Sequence, residues 1–182
     1  TVLTLGDGGS VNVGVLKLNG CNQELTGLWT AGHKDYHLGL FGGDRVLNGS
    51  ATPCTLTLNI EDGLNNQFVG TLGGPGTNEN NFAVKKTGGG TLWLGRSANW
   101  TGGTMIEEGA LELTSAFYQQ NQASGTFRLG HGTTFAVSGL VSQLIFKGVT
   151  VEFLSAGGGK LINRGSSDWL TWKAEGGLTI RS

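Results

Sequence analysis

Residues 82–115, FAVKKTGGGTLWLGRSANWTGGTMIEEGALELTS, alternate short apolar segments with glycine turns, and no piece is long enough for a helix. Leu92 and Leu94 flank Trp93, and Leu111 and Leu113 flank Glu112. Successive side chains of a strand point to opposite faces, so each triplet lays two leucines on one face. Between the triplets lie Asn99, Gly102, Gly103 and Gly109, residues that tolerate positive φ and let the chain turn tightly. A strand–turn–strand unit of this size cannot bury its own apolar face. It must stack on copies of itself, which is the logic of a β-solenoid.

The same rhythm recurs from end to end. Strand-like segments are read at 2–6, 11–20, 54–60, 68–72, 82–86, 91–95, 104–108, 110–114, 126–130, 134–139, 142–148, 149–155, 160–165, 169–173 and 177–181, with Gly, Asn, Asp or Ser between them. Residues 30–50 and 73–81 break the alternation and read as loops protruding from the rod, and 115–124 as a single helical turn at most. The phrase x-L-x-L-G occurs at 2–6, at 91–95 and, as TFRLG, at 126–130, the last two spaced as about two coils of the ~20-residue scale expected for solenoid repeats. That gives eight or nine coils and a rod on the order of 40 Å long. No stretch reads as a linker, so 1–182 is expected to be one domain with its repeat-like core at 54–115.

KKTGGGTLWLGRSANWTGGTMIEEGALEL resembles the autotransporter-associated β-strand repeat, also called the passenger-associated transport repeat. The pattern K-x-G-x-G-T-L-x-L-x-G-x-N-x-Y-x-G-G-T-x-I-x-x-G-x-L-x-L is met by Lys86, Gly88, Gly90, Thr91, Leu92, Leu94, Asn99, Gly102, Gly103, Thr104, Ile106, Gly109, Leu111 and Leu113. The chain departs from it at Arg96-Ser97, at Trp93 and at Trp100, which stands near the aromatic position. The clear match covers about a fifth of the chain. The resemblance implies an all-β fold, a right-handed parallel β-helix, on a secreted bacterial surface protein. It implies no chemistry and no cofactor.

Composition narrows the function classes. Glycine is abundant, at 34 of 182 residues, but without the strict period and proline of collagen. Charged residues are only 14%, their places taken by Thr, Ser and Asn, which favours the cell exterior. Net charge is −1 and no basic run exceeds Lys85-Lys86, so a nucleic-acid partner has no electrostatic footprint. No apolar run approaches the ~20 residues of a membrane-spanning helix. The chain opens on Thr1 without Met or signal peptide, and is read as an excised piece of a longer secreted protein. Cys21 and Cys54 are either one disulfide, stabilising by roughly 3–4 kcal/mol in the chain-entropy model, or two separate buried thiols.

Candidate sites are few. His33, Asp35, His37 and Asp44 hold metal-ligand types, but HKDYH shows no helical pattern to converge its imidazoles, so an exposed polar loop is the reading. Gly130-His131-Gly132 resembles the G-H-G of polygalacturonase-type hydrolases, whose chemistry needs paired carboxylates. There is no Asp-Asp, and no acid between Glu112 and His131, so His131 reads as a turn residue. Glu61-Asp62 and Glu107-Glu108 read as solvated turn acids, and the sequons at Asn48 and Asn99 as coincidences of composition.

Trp93, Trp100, Trp169 and Trp172 are the candidate contact surface, for sugar rings or for a neighbouring chain. Packing of these rings against protruding loops is the alternative. The expectation is a non-catalytic extracellular rod, adhesive or filament-forming. Its ends, lacking polar or proline-bearing caps, continue the solenoid or self-associate end to end. A carbohydrate-binding or carbohydrate-active β-helix module is the rival. No catalytic residue, metal or cofactor is expected.

Overall fold

The computed structural model describes residues 1–6, 13–31, 43–96, 98–115, 124–139, 143–154, 159–163 and 171–181. The strands fall on three faces, three to a coil from β2 to β10 and two to a coil on the second and third faces thereafter. The first face carries β2 (Val15–Lys17), β5 (Arg45–Leu47) and β8 (Thr71–Leu72). The second carries β3 (Gln23–Leu25), β6 (Cys54–Asn59), β9 (Phe82–Thr87), β11 (Thr104–Ile106), β13 (Thr126–Leu129), β15 (Gln143–Phe153) and β17 (Thr171–Arg181) as one seven-stranded sheet.

The third face carries β7 (Asn65–Phe68), β10 (Thr91–Leu94), β12 (Ala110–Ser115), β14 (Thr134–Gly139) and β16 (Lys160–Asn163). A separate pair, β1 (Val2–Leu5) with β4 (Gly27–Thr30), lies below them. It is joined to β7 by side chains: Leu28 N–H donates to Asn66 Oδ1 at 3.1 Å, and Val69 N–H to Thr30 Oγ1 at 3.0 Å. Every strand pair among the described residues is parallel. This is a parallel β-helix.

Parallel stacking in register makes columns of like residues. On the second face Leu25, Leu58, Lys86, Ile106, Leu129 and Phe153 lie one above another. On the third, Asn66, Leu92, Leu111, Phe135 and Leu161 do the same. The strict inward–outward alternation of β6 and β9 buries every second residue. One continuous apolar core results, from Leu5 to Val151, with Phe127 and Phe135 meeting edge to face at 5.3 Å.

Among the described residues the seven-stranded sheet, at ~4.8 Å per rung, spans about 30 Å, and β1 adds a rung below β4 on the third face. The coils are longer than ~20 residues because turns vary. Gln23 sits opposite Leu56, 33 positions on, whereas Val84 sits opposite Thr104, 20 on. The segment read as a loop at 30–50 contains β5, whose adjacent Val46 and Leu47 are both buried and so gave no alternation. Residues 32–42 lie outside the described residues, as does most of the turn expected at 115–124. The second loop is as read: Pro75–Asn78 are exposed, and the loop is folded on itself by Gly74 N–H to Asn80 Oδ1 and Gly76 N–H to Glu79 Oε2. The segments at 142–148 and 149–155 form one strand, with its register shift between Lys147 and Val149.

Candidate functional site

The outer surface of the third face holds the tryptophan the sequence placed there. In β10, Leu92 and Leu94 point inward, and Trp93 points out and is half-buried. Its indole Nε1 is shielded and has no hydrogen-bond partner among the described residues. Gln67 stands one rung below it. The side-chain bonds from Asn66 and Thr30 align β4 with β7 so that Trp29, 36% exposed, is the next residue down this column. Trp29 was missed, although GLWT repeats the Leu-Trp order of TLWL. Above Trp93, Glu112 and Ala136 share the column and are both buried, while below Trp29 the column continues to the exposed Thr4.

Trp100 is a correction. It is fully buried, and its Nε1 donates to Thr104 Oγ1 at 2.9 Å inside the core. A ring of this size at a corner fills the space between faces, so it contributes packing rather than contact. Trp169 lies outside the described residues. Trp172 falls in β17, in register with Leu144, and its side chain is likewise outside the description.

The turn acids are exposed as expected, but turns from successive coils bring some of them together. Glu61, Asp62 and Glu108 rim a shallow groove of about 570 Å³ floored by Val2 and Leu64. Glu107 instead pairs with Lys85 at 2.9 Å on the second face. His131 is an exposed turn residue after β13. Of the metal-type loop residues, only Asp44 is described. It is buried rather than exposed: its Oδ1 accepts Gly14 N–H at 2.7 Å, and its carbonyl accepts Thr71 N–H at 2.8 Å. Asp44 thus ties adjacent coils. His33, Asp35 and His37 lie outside the described residues.

Two polar residues buried at the corners carry structural chemistry that the sequence did not show. Lys86 occupies an inward column position between Leu58 and Ile106. Its Nζ donates to the carbonyls of Thr87 (2.7 Å), Gly88 (2.6 Å) and, from the next coil, Glu108 (3.4 Å). Burial pushes its ammonium down to about 8, the Glu108 carboxylate opposing. Asn48 is also fully buried, in one of the two sequons. Its Nδ2 donates to Ser50, Thr52 and Asn81 carbonyls, and its Oδ1 accepts Gly20 N–H at 2.6 Å. An amide so committed is closed to glycosylation.

Cys21 is exposed and Cys54 buried, and both are free thiols. No helix among the described residues is long and apolar enough to cross a membrane. No family model, curated protein or solved structure matches the chain.

Proposed function

We propose that the chain is a non-catalytic structural rod outside the cell: a segment of a secreted autotransporter-like bacterial surface protein, or a subunit of an extracellular filament. The observation that carries this reading is the unbroken parallel stack of seven rungs, a geometry suited to stiffness and reach. The residues resembling the autotransporter repeat supply the corners of that stack. Lys86 and Gly88 close one turn, Gly109 the next, and Trp100 fills a corner. Continuation of the solenoid or end-to-end association extends the rod. Negative-stain electron microscopy of the purified chain tests this, with stiff particles or fibres about one coil wide expected. Particles without a long axis, or release of products from a polysaccharide, overturn it.

The Trp29–Gln67–Trp93 column favours a second reading, a surface that stacks on glycan rings. Two aromatic faces two rungs apart offer flat apolar area beside an amide donor. Glycan-array binding that is lost in both Trp29→Ala and Trp93→Ala is expected on this reading, and an array with no bound glycan ends it.

A further inference from the structure

The two cysteines are separated by the same interval as the coils that carry them. β3 pairs with β6 at an offset of 33 residues: Gln23 with Leu56, Glu24 with Thr57, Leu25 with Leu58. One step before the ladder, Thr55 N–H donates to Asn22 Oδ1 at 2.9 Å, the same offset. One step further puts Cys21 under Cys54. Cys54 itself pairs upward with Phe82 and is buried, whereas Cys21 is at the exposed foot of the column. Stacked parallel residues lie ~4.8 Å apart at Cα, inside the roughly 4.4–6.8 Å range that a disulfide spans.

The surroundings of Cys54 agree with this placement. Burial pushes its thiol up, the neighbouring Gly20 amide opposes that, and the Cys21 sulfur is near enough to push it up further. Gly20 is the residue before Cys21 in sequence. The side chain of Cys54 therefore faces the turn that carries its partner.

We propose that Cys21 and Cys54 form a redox staple between the first two rungs of the seven-stranded sheet, closed by exchange with a low-molecular-weight disulfide. The exposed Cys21 thiolate attacks the small disulfide, releases one small thiol and keeps a mixed disulfide. The Cys54 thiolate then attacks the Cys21 sulfur, the second small thiol leaves, and the Cys21–Cys54 bond forms. The protein loses two electrons and two protons, and the small disulfide is reduced to two thiols. Because burial raises the Cys54 thiol, the second step speeds as pH rises.

The staple acts where the stack is weakest. β3 is the end strand of its sheet, paired on one side only. The bond closes the loop between the two rungs and holds this end against fraying. The inference stands on register and is independent of where the chain works.

The test uses the wild-type chain with glutathione as the redox pair. The folded chain is equilibrated with mixtures of oxidised and reduced glutathione, quenched with iodoacetamide and mapped by peptide mass. The expected product is an intramolecular Cys21–Cys54 bond at an effective thiol concentration at least ~10-fold above that of the same chain in urea, with slower proteolysis of the β2–β3 segment. A folded chain that stops at the Cys21–glutathione mixed disulfide overturns the proposal. So does equal cross-linking in folded and urea-unfolded chains. Cys21→Ser serves as control: Cys54 is then expected to stay reduced and to alkylate slowly. Fast alkylation of Cys54 in a folded Cys21→Ser chain counts against the burial on which the order of steps rests.

Discussion

Three turn glycines share nearly the same backbone and differ in what lies over them. Gly109 has φ +68°, Gly132 +71° and Gly63 +76°. A Cβ at Gly109 would lie 2.3 Å from the Gly90 carbonyl oxygen, 2.6 Å from that of Gly88 and 2.8 Å from Gly89 C. At Gly132 and Gly63 it would meet nothing within 4 Å. Alanine at all three costs the left-handed strain, about 1–2 kcal/mol, partly offset by the stiffer unfolded chain.

Only at Gly109 must the coil below also move. Clearing the 3.0 Å limit of real Cβ contacts requires about 0.7 Å of separation from backbone. That stretches the Ala110 N–H to Gly90 carbonyl bond, already 3.2 Å, beyond hydrogen-bonding distance. The lost bond is worth about 1 kcal/mol, and overpacking in a rigid stack adds about 1–3. Gly109→Ala is therefore expected to destabilise by about 3–6 kcal/mol, and Gly132→Ala by about 1–2. Urea unfolding with matched m-values measures the difference, in which the strain and the unfolded-state entropy cancel. Equal midpoints for the two variants would refute coil-on-coil contact at this corner.

Lys86 gives a pH prediction of definite sign. Its folded pKa of about 8 lies below the unfolded value of 10.5, so between them the unfolded chain holds more protons. Stability is thus expected to rise with pH from about 8 towards 10.5, by up to ~1 kcal/mol per unit, and the rise to vanish in Lys86→Met. Falling wild-type stability over that range would mean that the three carbonyls outweigh burial. Asn48→Ala removes the partner of the Gly20 N–H and of the Thr52 and Asn81 carbonyls, the Ser50 carbonyl keeping Asn81 Nδ2, and is expected to cost about 3 kcal/mol by thermal or urea unfolding. A cost below about 1 kcal/mol would show that water replaces the amide there.

The fold was legible because its strands obey the period of two. CTLTLN, FAVKKT and TLWL each bury alternate residues in the register that their spelling requires. The same rule places Lys86 inward, two positions after Val84. A lysine pair reads as surface by type, so the period was the better guide there. What the sequence hid is what depends on neighbouring rungs. Trp100 reads as a possible contact ring until Thr104 is seen to accept its N–H in the core. Asp44 reads as a loop acid until Gly14 is placed beside it. Gln67 and Trp29 join Trp93 only through the offset between coils, and that offset is set by turn lengths with no period of their own.

Those turn lengths are not spread evenly over the corners. The corner between the second and third faces takes from one residue, between β3 and β4, to six, between β15 and β16, with Gly88–Gly90 joining β9 to β10 and Glu107–Gly109 joining β11 to β12. Each turn there lies against the one below, as the Gly109 and Gly90 contacts show. The passage from the third face back to the next coil has no such constraint. It takes only residues 69–70 between β7 and β8, but residues 31–44 between β4 and β5. Length therefore varies where stacking does not forbid it, while the register of the two long sheets holds until Lys147. In such a scaffold the tight corner preserves the rod, and the loose one is where contacts with other molecules can change without cost to the stack.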